Sequence, residues 1–328
     1  MKSILHHKFE DIISIDNLLI AWQEFVKGKR NRKDVQIFSF YLMDNILSLH
    51  EDLRNNTYKH GGYQQFKIND QKPRSIHKAS VRDRLLHHAV YRILYPFFDK
   101  TFIADSFSCR NNKGTHKAIN QFRNFSCIVS KNNTKTCWIL KCDIKKFFAS
   151  VDQLTLVKIL EKHINDENII NLLKEIIFSF KSNGLPLGNL TSQLFANIYL
   201  NELDQFVKHK LKVKYFVRYA DDFVIFSGIK NYLENIIPLI GSFLENELRL
   251  TLHPDKIFIK TLYSGMDFLG WVNFFVHKIL RRNARRRILK KMSGNPSLET
   301  INSYLGLLKH GNSHKLKELL NKDKFLVL

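Results

Sequence analysis

Apolar residues recur every three or four positions in "NLLIAWQEFVKGK" (17–29) and "FSFYLMDNILSLHEDLRNN" (38–56), which predicts helices that each present one apolar face. The pattern then changes. "GGYQQFKIN" (61–69) alternates as a half-buried strand does, and "SVRDRLLHHAVYRILYPFFD" (80–99) returns to the helical period. Further along, "TCWILKCDIKKFF" (136–148) predicts a strand, and "VDQLTLVKILEKH" (151–163) and "NIINLLKEIIFSF" (168–180) predict helices. "NLTSQLFANIYLNELDQFVKHKL" (189–211), which follows "GLPLG", predicts a long amphipathic helix. "VRYADDFVIF" (217–226) reads as a hairpin with two β-favouring runs around a polar tip. Next come a helix, "NYLENIIPLIGSFLENEL" (231–248), and two stretches that read as strands, "LTLHPDKIFIK" (250–260) and "MDFLGWVNFF" (266–275). The tail from Lys278 reads as helical and very basic.

The middle of the chain therefore runs strand, helices, two strands, helix, strand. That is the β-α-β-β-α-β order of a ferredoxin-like split βαβ core in an α+β fold. Such a core hosts many functions, so the order alone assigns none. A helical lobe with a short sheet precedes it, and the sharpest change of composition predicts a boundary near Lys278.

With 328 residues, 44% of them hydrophobic, the chain can bury a sizeable core, which excludes disorder as its default. Fifty-two Lys and Arg against thirty Asp and Glu leave a formal charge of +22, which points to a polyanionic partner, nucleic acid before an anionic membrane. No run approaches the roughly 18 apolar residues of a membrane-spanning helix, and charge interrupts the N-terminus too early for a secretory signal, so the expected location is cytoplasmic. Cys109, Cys127, Cys137 and Cys142 form no CxxC pair, which predicts reduced, partly buried thiols rather than a zinc site or a disulfide frame.

Asp221 and Asp222 are two like charges in the middle of an apolar hairpin. In isolation they fit a polar turn equally well as a carboxylate pair held by a cation, because an uncompensated buried pair is costly. Asp143 tilts the balance: a split βαβ core sets the first strand beside the hairpin, so the three carboxylates could converge. Such a set suits two oxygen-seeking divalent ions that stabilise the attacking and leaving oxygens of a phosphoryl displacement.

In order along the chain, "KPRSIHKASVRDRLLHHAVYRIL", "SFSCRNNKGTHKAI", "CDIKKFFASVD", "GLPLGNLTSQLFANIYLNELD", "YADD" after Arg218, "LHPDKIFI" and "DFLGW" resemble the finger and palm blocks of reverse transcriptases. The resemblance spans roughly residues 10–310. It implies a right-hand polymerase: helical fingers mainly over 1–135, a split βαβ palm mainly over 136–277, and a short, basic helical thumb over 278–328. Where group II intron and retroviral enzymes typically carry "PQG", this chain has Pro186-Leu187-Gly188. "LPLGNLTSQ", "SGMDFLGW" and "NSYLGLLKHGN" are similar to the reverse transcriptases of diversity-generating retroelements. Those enzymes copy a template RNA into cDNA with errors opposite adenine. Phage-defence and retron enzymes share the palm and stand as alternatives, with an RNA-binding protein of vestigial polymerase activity further off.

The resemblance implies Asp143 and Asp221 as ligands of two Mg²⁺ ions, with Mn²⁺ as the alternative ion, and Asp222 as a weaker third. Phe148 would stand against the 2′ position of the incoming sugar. Lys72, Arg74, Leu187 and Gly188 would contact the dNTP, and Lys256 the leaving pyrophosphate. Arg84, Arg110 and Lys113 would lie near template or nucleotide. In the tail, Arg281, Arg282, Arg285, Arg286 and Arg287 would track phosphates from an amphipathic helix whose apolar side is Ile279, Leu280, Ile288 and Leu289. The implied partners are a structured template RNA, an RNA/DNA duplex, dNTPs and a small basic accessory protein, with no membrane. His87, His88 and His116 have no partner at ligand spacing and read as core or surface residues.

Overall fold

The computed structural model describes residues 3–69, 73–294, 296–314, 316 and 318. The chain begins with α1 (Phe9–Ile13), α2 (Ile15–Phe25), α3 (Lys33–Phe40) and α4 (Leu42–Arg54), followed by the antiparallel pair β1 (Gln64–Asn69) and β2 (Pro73–Lys78). Then come α5 (Val81–Asp99) and α6 (Thr115–Val129). The Ser80 hydroxyl starts α5 by accepting from the Asp83 amide, so one of the unpaired first-turn donors is satisfied.

The central sheet is built from β3 (Trp138–Asp143), β4 (Phe216–Tyr219), β5 (Asp222–Ser227) and β6 (Phe258–Thr261) in the spatial order β4-β5-β3-β6. Each neighbouring pair is antiparallel, which is the split βαβ arrangement expected from the element order. Between β3 and β4 lie α7 (Phe147–Ser150), α8 (Gln153–Glu161), α9 (Glu167–Phe178) and α10 (Leu190–Gln205), and α11 (Lys230–Leu248) joins β5 to β6. Alternation along the strands gives the sheet two apolar faces. Leu140, Cys142, Phe223 and Ile225 enter the main core, while Ile139, Val217, Val224 and Phe226 pack with Phe122 and Phe125 of α6.

Three elements differ from expectation. α10 is buried nearly all round rather than amphipathic, because its polar side chains find partners: Asn197 donates to the Ser108 carbonyl at 2.8 Å and Tyr199 to the Leu248 carbonyl at 2.6 Å. Of residues 250–260 only the end is strand, since Pro254, which has no N–H to give a ladder, opens a 3₁₀ turn over Pro254–Lys256. The tail from Lys278 starts as a strand. β9 (Lys278–Leu280) pairs with β8 (Trp271–Asn273), which pairs with β7 (Met266–Phe268), so one sheet joins residues on both sides of 278. The helices α12 (Arg282–Met292) and α13 (Leu298–Leu308) follow and share a small core of Ile288, Met292, Leu308 and Leu316. The cysteines are all free, as expected, although Cys109 is exposed. Among the described residues no helix is long and apolar enough to cross a membrane.

Candidate active site

The hairpin between β4 and β5 turns on two residues. Tyr219 pairs with Asp222, leaving only Ala220 and Asp221 at the tip. Ala220 has φ +53°, a left-handed conformation that costs a residue with a Cβ roughly 1–2 kcal/mol, so its surroundings must impose it. Arg218 does so from below. Its side chain is fully buried, Nη1 donates to the Ala220 carbonyl at 3.2 Å, and Nε and Nη2 each donate to one oxygen of Asp204 at 2.6 Å. Burial pushes the Asp204 carboxyl above its ordinary range and the Arg218 charge opposes the shift.

Register brings the carboxylates together. Asp143, the last residue of β3, lies directly across from Asp222, and the next amide, Ile144, donates to the Asp221 carbonyl at 3.2 Å. Asp221 is raised above the ordinary carboxylate range, first by burial and then by the Asp143 charge, while Lys256 and Arg74 pull it down. Asp222 is pushed up to about 7, again first by burial, against the pull of Lys141. The Lys141 ammonium lies 3.3 Å from Asp222 Oδ2 and also donates to the Asp267 carbonyl at 2.8 Å.

Lys256 is delivered from the other side. Residues 251–253 run beside the end of β3, with the Lys145 amide on the Thr251 carbonyl at 2.9 Å and the His253 amide on the Asp143 carbonyl at 2.8 Å. The 3₁₀ turn then sets Lys256 Nζ 2.7 Å from Asp143 Oδ1.

Phe148 is half-buried at the start of α7, edge-on to the fully buried Phe147 with ring centroids 5.4 Å apart. The Leu185 amide donates to its carbonyl at 2.7 Å, and Gly184 at φ +93° passes so close that an added Cβ would lie 2.3 Å from the same oxygen. Two residues on, the Leu187 carbonyl accepts from the His77 amide at 2.9 Å, which ties the loop to β2. Gly188 is required there, because at φ +106° its Cβ would meet Ile76 at 2.7 Å. Phe148, Leu187 and Gly188 are thus joined to the strand that carries Arg74, whose side chain is exposed. Lys72 lies outside the described residues.

The remaining basic residues divide. Arg110 is held within the fold: it donates to Asp99 Oδ1 at 2.7 Å and to the Ile103, Ser106 and Asp99 carbonyls, so it brackets the end of α5. Arg84 is also drawn inward, onto Asp34 at 2.6 Å and over the Phe25 ring, and Lys113 donates to the Ala104 carbonyl at 2.7 Å. On α12, Arg282, Arg285 and Arg286 are exposed and Arg287 is half-buried, while Arg281 pairs with Asp267 at 2.6 Å. The apolar side of this helix is Ile288 with Met292 one turn on. Leu289, a third of a turn away from Ile288, is 37% exposed.

Sequence reasoning missed Asp204, Arg218 and Lys141 as the frame of the acidic cluster. The signal was available for two of them: a cation inside "FVRY" and another inside "WILKCD" stand where an apolar residue is expected, as the Asp pair does.

The donors at this end are carboxylate oxygens, and Asp222 Oδ1 is buried with no hydrogen-bond partner. Among the described residues no three His, Cys, Asp or Glu side chains stand together as a group that could hold a metal ion by themselves. Such a set fits a hard divalent ion that takes one or two carboxylates and completes its shell with substrate phosphates.

The family described as "Reverse transcriptase (RNA-dependent DNA polymerase)" matches residues 59–273. Protein YkfC of Escherichia coli K12 is 26% identical over 273 residues, 70% of this chain and 69% of that protein. The group II intron-encoded protein LtrA of Lactococcus lactis is 23% identical over 339 residues, 81% of this chain and 54% of LtrA, so the chain spans about half of that relative. A solved structure of telomerase from Candida albicans in complex with a fragment of telomeric RNA superposes with a TM-score of 0.51 at 13% identity, over 75% of this chain and 49% of that one, which is a likeness of fold. With the family match running from the segment before β1 through β8 and taking in all three carboxylates, the chain belongs to the reverse transcriptases, the RNA-directed DNA polymerases.

Proposed function

We propose that this chain makes cDNA on a structured template RNA by two-metal phosphoryl transfer, with Asp143 and Asp221 as the principal metal ligands. The observation that carries the reading is the register of β3 against the hairpin, which faces Asp143 with Asp222 and fastens Asp221 beside both. Mg²⁺, or Mn²⁺ in its place, supplies Lewis-acid stabilisation of the attacking and leaving oxygens when bound. The chain's own residues then have distinct tasks. Asp222, with one oxygen paired to Lys141 and its charge disfavoured by burial, serves as the weaker third ligand. Lys256, beside Asp143, offers positive charge or a proton to the departing pyrophosphate. Arg74 and Lys72 hold the triphosphate, Arg74 through the planar fork that suits phosphate. Phe148 excludes a ribose 2′-hydroxyl. Residues 1–135 serve as fingers, 136–277 as palm and 278–328 as thumb.

The decisive experiment replaces Asp221 with Asn and measures Mg²⁺-dependent dNTP incorporation on a preformed RNA template and DNA primer. Loss of several kcal/mol of charge stabilisation predicts a fall of about 10³-fold with the fold retained. Wild-type incorporation by the variant would remove Asp221 from the site.

The finer reading is the diversity-generating type, with cDNA errors concentrated opposite template adenine and a small basic accessory protein in a cytoplasmic complex. It rests on the wording around Leu187, whose side chain cannot hydrogen-bond a nucleotide as the Gln of "PQG" can. A neutral hydrogen bond is worth about 0.5–1.5 kcal/mol, so Leu187→Gln should lower misincorporation opposite adenine roughly twofold to twelvefold, and less opposite guanine or cytosine. Sequencing cDNA from both proteins on one RNA reads this directly. Equal adenine error rates would leave Leu187 as packing.

A further inference from the structure

A cationic site that shares no residue with the carboxylate end lies where α6, the 274–277 turn between β8 and β9, and residues 309–312 line a cavity of about 310 Å³. Backbone contacts build it. The Phe274 amide donates to the His277 carbonyl at 2.9 Å and closes the turn, and the Asn312 amide donates to the Lys278 carbonyl at 2.8 Å and draws the chain after α13 onto β9. Gly311 lies flat on the Trp271 indole, where a Cβ would fall 2.1 Å from the ring, so no other residue allows the approach.

The side chains that line this cavity are one-sided in charge. Arg123 of α6, Lys278 of β9 and Lys309 line it together with His277 and His310, and among the described residues no carboxylate does. Burial and the Arg123 charge both push Lys278 below its ordinary value, and burial, His310 and Lys278 do the same to His116, whose ring stands 4.0 Å from that of His310. Like charges crowded without a counter-ion repel, and an anion would relieve them. Two of the lining residues carry planar rings: Phe274 and His277 stack on each other with centroids 4.8 Å apart and planes within 15°. Planar rings, imidazoles and cations around a volume near the lower end for small-ligand sites match one nucleotide, with its base against the stacked rings and its phosphate on the cations. An acidic peptide has no base-like π face to match the stacked rings, and a membrane surface would need more apolar area than Val276, 73% exposed, supplies.

We propose that this cavity binds an unstacked nucleotide of a single-stranded RNA segment outside the polymerising cleft, as a holding point for the template RNA. The assignment of RNA as the source rests on the function proposed above. The site itself rests on its chemistry.

The test uses the full chain in EDTA, where no incorporation occurs. A fluorescein-labelled 20-nucleotide single-stranded RNA carrying 4-thiouridine is titrated at several salt concentrations and then photocrosslinked. Wild type should crosslink within residues 274–278. Arg123→Gln with Lys278→Gln and Lys309→Gln should lose that crosslink and lower the log–log salt slope by about 2, since each lost phosphate contact on a single strand removes about 0.7. Incorporation on a short preformed template and primer should stay within about twofold, which separates this site from the carboxylate end. A polymerase reading that fails would abolish incorporation in both proteins and leave the crosslink intact. An unchanged slope with crosslinks elsewhere overturns the proposal, as does crosslinking by free 4-thio-UTP that competes fully with the strand, which would make the cavity a mononucleotide site. Circular dichroism checks that the triple variant is folded, and His277→Ala, which keeps all three cations, should weaken the crosslink while the slope holds.

Discussion

At the acidic end of the central sheet three of the four carboxylates are set against a named cation. Arg218 holds Asp204, Lys141 holds Asp222, and Lys256 holds Asp143. On α12 the cations Arg282, Arg285 and Arg286 face solvent from one helix. Both regions can act on phosphate, yet their energetics differ. The buried end bears the desolvation of its charges during folding, so its groups already stand in place when substrate arrives. The helix leaves its charges solvated and draws its binding energy from counterions released by the partner. Rigid placement serves chemistry, and exposed charge serves affinity across many sequences.

The largest effect should come from breaking the frame. Truncating one partner of a buried ion pair leaves the other uncompensated, so Arg218→Ala should cost about 3–5 kcal/mol in urea unfolding. Replacing both partners, Arg218→Met with Asp204→Leu, should recover most of that stability. Incorporation should not recover, because the Ala220 carbonyl loses the donor that shapes the turn. A double variant that is both stable and active would show that the pair serves stability alone.

These two regions were not equally legible in the sequence. The sheet order and the meeting of Asp143 with the hairpin followed from alternation and element order, because a period of two leaves little freedom of register. The basic helix was visible as a charge run over Ile288. Hidden from the sequence were the features that depend on partners no local period reports. Asn197 is buried because Ser108 offers a carbonyl, and Arg110 is consumed by α5 because Asp99 and two loop carbonyls converge on it. The Asn197 partner lies 89 positions away and those of Arg110 only 4 to 11, yet none of these contacts belongs to a helix or strand period. β9 was read as helix for the same reason, since three residues, Lys278–Leu280, become a strand only where β8 offers an edge.

A smaller effect tests the burial of the acidic end through pH. The Asp222 carboxyl sits at about 7 in the folded chain against 3.8 ordinarily. Between these values the folded state keeps a proton that the unfolded state has lost, so the contribution is complete below 3.8 and is lost as pH rises through 7. In EDTA, Asp222→Asn should therefore gain stability relative to wild type from pH 4 to pH 8, by a few kcal/mol at most. The Lys141 attraction acts on the ionised carboxylate and is already contained in the Asp222 value. Parallel stability curves for the two proteins would mean that Asp222 is well solvated.

The smallest energetic change should come from α12, and it should appear only in binding. Its first turn holds no acidic residue and begins with Arg282, although the positive end of the helix dipole disfavours a cation there. A sequence selected for helix stability alone would place Asp or Glu at that position, so the arginines point to a partner outside the fold. Replacing Arg282, Arg285 and Arg286 with Gln should change unfolding free energy by no more than about 1 kcal/mol, since exposed substitutions rarely do more. The same variant should lower the salt slope of RNA/DNA duplex binding by about 2 to 3, at roughly 0.7–0.9 per phosphate contact. Arg281→Gln supplies the internal comparison. Its guanidinium is already committed to Asp267, so its loss should move the slope less than any one of the three. A slope unchanged by the triple variant would mean that this face of α12 meets something other than phosphate, and the contrast between a framed acidic end and a free cationic helix would then lose its second half.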